Sequence, residues 1–160
     1  MSLDLLPWFE WCEASALGQF VRTSVWMFPV IEATHLLGLS SLGGAVLIVD
    51  LRLLGLALTD LSVATLARGA QRWLTWSIAF MLASGFLLFM SEAVKCYHNP
   101  SFWVKILTMP FAIAFTLLVR QRVAMRDATV TGMQSRLIAL ASIALWFTVA
   151  MAGRWIGFSS

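Results

Sequence analysis

The sequence predicts an all-α integral membrane protein: a four-helix bundle with an N-terminal interfacial helix. Of the 160 residues, 60% are hydrophobic and only 12% are charged, about half the charged share of a soluble domain. The mean hydropathy is +0.84. The apolar residues also gather into four continuous runs, over about 27–54, 73–93, 102–119 and 137–156, each near the roughly 20 residues a helix needs to cross a bilayer. A transmembrane barrel would instead alternate apolar and polar residues in segments of about ten. Little chain lies outside the runs, so residues 1–160 read as one four-helix domain.

The opening segment MSLDLLPWFEWCEASALGQF has no positive n-region, and Asp4, Pro7, Glu10 and Glu13 interrupt its apolar residues. It is therefore expected to be retained rather than cleaved as a signal peptide. Trp8, Phe9 and Trp11 beside carboxylates suit a short helix in the headgroup layer. The first run, MFPVIEATHLLGLSSLGGAVLIVDLRLLGL, carries Glu32 and His35 three residues apart, and ionisable groups are rare in such a segment. Its pairs Ser40/Gly44 and Ser41/Ala45 permit close helix packing, as do Ala79 and Ala83 in the second run. In the first connector, Thr59 or Asp60 can cap a surface helix ending near Gly69. The second connector, KCYHNPS, is a turn built on Asn99-Pro100, with Ser101 as cap of the third run. Pro110 removes a backbone hydrogen bond within that run. The last connector, RQRVAMRDATVTGMQSR, is the most polar stretch.

Orientation follows from Lys and Arg, which cytoplasmic loops keep in excess. Arg52, Arg68 and Arg72 flank the first connector, and Arg120, Arg122, Arg126 and Arg136 the third. Both connectors are expected in the cytoplasm and both termini on the outer side of the membrane. The net charge of +3 is thereby explained by topology. No nucleic-acid partner is implied, because the arginines are scattered over two short connectors without a groove-reading motif.

Once the runs are oriented, Glu32, His35, Glu92, Lys95, Lys105 and Arg154 fall at one end. His35 lies roughly 9 Å below Pro29, and Lys105 about 5 Å below Phe102. This supports a b-type haem or another porphyrin with His35 as axial ligand. Gly38 and Gly43 would leave room for the macrocycle, and Arg154, Lys105 or Arg22 would pair with propionates. His98 is a second axial ligand only if its connector folds over the site. Copper is the alternative metal, on Cys96, His98, Met90 and Met27. A plain ion pair of Glu32 with Arg154 or Lys105 accounts for the same charges without a ligand. Cys12 and Cys96 either form a disulfide or remain two thiols. The hydrolase and nucleotide motifs GxSxG, HExxH and the Walker loop are absent.

The stretches EATHLLGLSSLGGAVLIVDLRLLGL, NPSFWVKILTM and LWFTVAMAGRWIGFS resemble a bacterial family of small four-helix inner-membrane proteins, a domain of unknown function, over nearly the whole chain. More distantly, His35, Gly43, Arg52, Trp103 and Lys105 resemble positions in the HemJ-type protoporphyrinogen oxidases and the CopD-type copper membrane proteins. The first likeness implies an associated haem, with His35 and Lys105 as the important pair; the second implies copper handling. AMAGRWIGFS stands where the HemJ-type proteins carry an arginine-tryptophan-phenylalanine-asparagine-glutamate stretch. The expectation is a small redox protein with a periplasmic or membrane redox partner, able to form a homo-oligomer. The alternative is a non-enzymatic anchor for a periplasmic partner.

Overall fold

The computed structural model describes residues 5–125 and 132–158. Among the described residues every regular element is helical: α1 (Leu6–Ala14), α2 (Ala16–Thr23), α3 (Met27–Leu53), α4 (Val63–Ser91), α5 (Ala93–His98), α6 (Pro100–Ala114), a π-helical segment (Phe115–Arg120), α7 (Gln121–Met125) and α8 (Gly132–Phe158). Four helical stretches are long and apolar enough to cross a membrane: Met27–Leu53, Val63–Ser91, Pro100–Met125 and Gly132–Phe158. The protein is a multi-pass membrane protein.

Helix boundaries follow from capping chemistry. Helix α3 stops because Gly55 takes φ 75°. Its N–H donates to the Arg52 carbonyl at 3.0 Å, and the Leu56 N–H reaches the Leu51 carbonyl at 3.0 Å, so a left-handed glycine closes the last turn. The following loop is held by Arg52, whose Nε donates to the Leu61 carbonyl at 2.7 Å. Ser62, not Thr59 or Asp60, caps α4, its Oγ accepting the Thr65 N–H at 3.1 Å. The expected surface helix is therefore the first turns of the second span, which continues through Gly69 without a break. Asn99, not Ser101, caps α6, its Oδ1 accepting the Ser101 N–H at 2.9 Å, and Pro100 fills the first helical position, where a missing N–H costs nothing. The third span runs past Val119 through the π-helical segment into α7, so Arg120 belongs to a helix rather than to a connector. Residues 126–131, the middle of the expected last connector, lie outside the described residues.

Apolar burial does not drive helices together where the solvent is itself apolar, so small residues and polar contacts decide which faces meet. Ser77 Oγ donates to Ser41 Oγ at 3.0 Å between α3 and α4, with Ala45 buried one turn on. Ser40 and Gly44 do not share that burial, and Ala79 and Ala83 are exposed; the second span instead offers Ser77 and Ser84. Leu42, Ala45, Val46, Leu74 and Ile78 pack the middle of the bundle. Val49, Leu53, Ala67, Ala124 and Ala139 pack toward one end. That end also carries Arg52, Arg68, Arg72, Arg122 and Arg136, and is termed the arginine end.

The other end is the cap end. There Phe9 and Cys12 of α1 pack with Met90, Ala93, Cys96 and Phe102. Phe9 meets the edges or faces of Phe89, Tyr97, Phe102 and Trp103 within 6.0 Å between ring centres. The N-terminal segment is thus two short helices folded onto the bundle, with Trp8 and Trp11 left exposed.

Candidate functional site

The cap end holds the ionisable side chains that the sequence gathers at one end of the spans. His35, on the third turn of α3, is half-buried. Its Nδ1 lies 2.7 Å from Ser84 Oγ on α4, while the Ser84 hydroxyl donates to the Phe80 carbonyl at 2.6 Å. A hydroxyl has one hydrogen, so toward His35 it accepts, and Nδ1 carries the hydrogen. With the ring neutral, Nε2 is the nitrogen left to accept, the arrangement in which a second group orients a ligating histidine. Gly85 is the small residue facing this ring: a Cβ there would stand 3.3 Å from His35 Cε1.

Lys105 enters from α6. The space it occupies is left by Gly153 of α8, where a Cβ would stand 3.1 Å from Nζ. Its charge acts electrostatically on both His35 and Cys96. Burial pushes the Cys96 thiol up to about 11, and the Glu92 carboxylate adds to the rise. Around the rim, Glu13 accepts the Val94 N–H at 2.8 Å and pairs with Arg22, tying α1, α2 and α5 together. Glu92 and Lys95 form an ion pair at 3.7 Å.

Of the expected members, Lys105 acts electrostatically on His35, whereas the others face elsewhere. Glu32 is exposed, and among the described residues it has no ion-pair partner. Arg154 is exposed and stacks over Phe158 at 4.3 Å from the ring centre. Gly38 is not a floor for a macrocycle, since a Cβ there would meet Phe80 Cδ1 at 2.7 Å; it admits those aromatic atoms from α4. Gly43 opens onto free space, roughly 12 Å along the helix from His35. His98 is exposed and packs against Tyr97, whereas Cys96 is buried. Among the described residues no three His, Cys, Asp or Glu side chains gather in a metal-binding group. Cys12 and Cys96 are both free thiols in one cluster.

A second polar group, near the arginine end, went unnoticed in the sequence. Arg120 Nε donates to Asp50 Oδ1 at 2.5 Å, and Nη2 to the Val46 carbonyl at 2.6 Å. Ser142 donates to Asp50 Oδ2 at 2.6 Å. Asp50, Arg120 and Ser142 are fully buried. A carboxylate inside an apolar run calls for a cationic partner, and that was the available signal. Arg120 concealed it, because an arginine after Val119 looks like the ordinary positive flank of a span. The π-helical segment that ends at Arg120 shifts the register there, and such insertions in α-helices are frequent at functional sites.

Between the two groups, Trp146 Nε1 donates to Thr116 Oγ1 at 2.8 Å. Polar contacts thus tie the spans together at each level of the bundle: His35 with Ser84, Ser41 with Ser77, Trp146 with Thr116, and Asp50 with Arg120.

No match to the chain is found among curated proteins or among solved structures. Family membership is clear, however: the match runs over residues 8–159 and so includes all four spans and both polar groups, and the chain belongs to the family of unknown function DUF6644.

Proposed function

We propose that this membrane protein binds b-type haem or another porphyrin at its cap end for a redox role, with His35 as axial ligand through Nε2. The observation that carries the reading is the His35–Ser84 contact, because Ser84 already donates to Phe80 and so fixes the proton on Nδ1. Lys105, beside Gly153, supplies the cation for a propionate. Gly85 and Gly153 are the small residues next to these two polar side chains. The resemblance of His35 and Lys105 to the HemJ-type pair supports the same assignment. When bound, haem supplies one-electron chemistry; the chain holds the ring orientation and offers a fixed charge. The excess of arginine at the opposite end supports a periplasmic cap end in a bacterial inner membrane.

The visible spectrum of protein purified from haem-replete cells tests this reading. A Soret band that is lost in His35→Ala and kept in His98→Ala is the expected result. A colourless preparation overturns it.

A second reading, a membrane subunit for another protein, is favoured by Glu32. It lies roughly 7.5 Å into α3, exposed and without an ion-pair partner among the described residues, where a carboxylate is costly beside lipid. A cation from a partner or a second copy would compensate it. A co-purifying chain, or a dimer, that is lost in Glu32→Gln supports this reading; a lone monomer counts against it.

A further inference from the structure

We propose that a groove on α4 at the arginine end binds the headgroup of an anionic phospholipid, a phosphodiester with a hydroxylated headgroup such as phosphatidylglycerol. Arg68, Gln71, Arg72, Thr75 and Trp76 line a groove of about 390 Å³. Their spacing of three and four residues puts them on one helix face.

The arginines at this end differ in availability. Arg120 is buried on Asp50, and Arg52 holds the carbonyls of Leu61 and Thr59. Arg68 and Arg72 are exposed, and among the described residues neither pairs with a carboxylate. Two guanidinium groups one turn apart match the oxygens of a single phosphate. The exposed Gln71 amide lies between them in sequence and adds a neutral donor.

Depth identifies the phosphate as a lipid's. Trp76 lies about 12 Å along the helix from Arg68, in the direction of the apolar part of the span, and is 75% exposed. Trp73 is 68% exposed beside it. An indole one to two turns below a phosphate-binding pair meets the glycerol and upper acyl chain, as aromatic belts do. Free phosphate would use the arginines alone.

Thr75 narrows the headgroup. Its hydroxyl donates to the Gln71 carbonyl at 3.0 Å, so toward a ligand it can only accept. A glycerol hydroxyl can donate to it. A choline headgroup has no donor, and its cation is repelled by the arginines.

The test uses the full chain, delipidated in neutral detergent and titrated with dioctanoyl phosphatidylglycerol, dioctanoyl phosphatidylcholine, dioctanoyl phosphatidylmethanol or inorganic phosphate, with bound lipid counted by native mass spectrometry. The expected result is one phosphatidylglycerol per chain, bound about thirtyfold more tightly than phosphatidylcholine. Arg68→Gln with Arg72→Gln abolishes that preference. Arg122→Gln with Arg136→Gln, which removes equal charge from the same end, leaves it. Thr75→Val weakens phosphatidylglycerol but not phosphatidylmethanol, which lacks the hydroxyl. An equal loss in both arginine pairs makes the effect diffuse surface charge and overturns the site. Inorganic phosphate that competes at the same affinity overturns the lipid assignment. All the substituted side chains are exposed, so unchanged helicity by circular dichroism is required of each variant.

Discussion

Arg120 and Asp50 meet at 2.5 Å with neither side chain reaching the surface, one from the third span and one from the first. Ser142 and the Val46 carbonyl complete most of the network, while Arg120 Nη1 has no partner among the described residues. Removing one member of such a pair strands the other charge, at a typical cost of about 3–5 kcal/mol. Asp50→Asn and Arg120→Met are each expected to lose stability on that scale in unfolding by denaturing detergent. Asp50→Leu combined with Arg120→Met is expected to be more stable than Arg120→Met alone. Additive losses in the double variant would show that the two residues are not coupled.

Ser84 is the hydrogen-bond partner of His35 Nδ1. Ser84→Ala leaves Nδ1 without its acceptor and the ring free to turn. If His35 ligates haem as proposed, the affinity for haem is expected to fall about 10- to 100-fold in this variant, with the unfolding midpoint little changed. If the Soret band keeps its intensity and position in Ser84→Ala, the hydrogen bond has no orienting role.

The glycines separate by what surrounds them. A Cβ at Gly18 would stand 2.5 Å from the Met90 carbonyl oxygen and 2.9 Å from that of Glu13, and backbone cannot turn aside. At Gly38 the nearest atoms belong to the Phe80 and Met81 side chains, which can. Gly18→Ala is therefore expected to destabilise most, by about 1–3 kcal/mol, with Gly38→Ala costing less. Gly43→Ala, with open space around it, should remain within about 1 kcal/mol of the parent. Thermal unfolding of the three variants gives the order, and a Gly43→Ala loss as large as that of Gly18→Ala would refute it.

Cys96 gives a pH dependence with a definite sign. Burial raises its thiol from 9.0 to about 11, so the fold favours the protonated form. That contribution is complete below pH about 9, and it is lost as pH rises through about 11, because the unfolded chain ionises first. Alkylation by iodoacetamide, followed residue by residue, should leave Cys96 unmodified at pH 8 while the protein is folded and label it rapidly after denaturation. Rapid labelling of the folded protein at pH 8 would contradict the burial.

Much of the architecture was legible because a bilayer imposes a length and a polarity on each crossing. Four apolar runs, the N-terminal aromatic helix and the helix-one histidine could all be read along the chain. Side-chain partnerships were not legible, since they join residues far apart: His35 to Ser84, Lys105 to Gly153, Asp50 to Arg120. A buried polar group must find its partner within the bundle, but the choice depends on helix rotation and on the π-helical register before Arg120. The sequence by itself determined that this protein crosses a membrane four times and carries ionisable groups within its spans. Only the tertiary structure decided which groups meet. It turned Glu32 and Arg154 outward, filled the face of Gly38 with Phe80, and placed Gly85 and Gly153 beside His35 and Lys105.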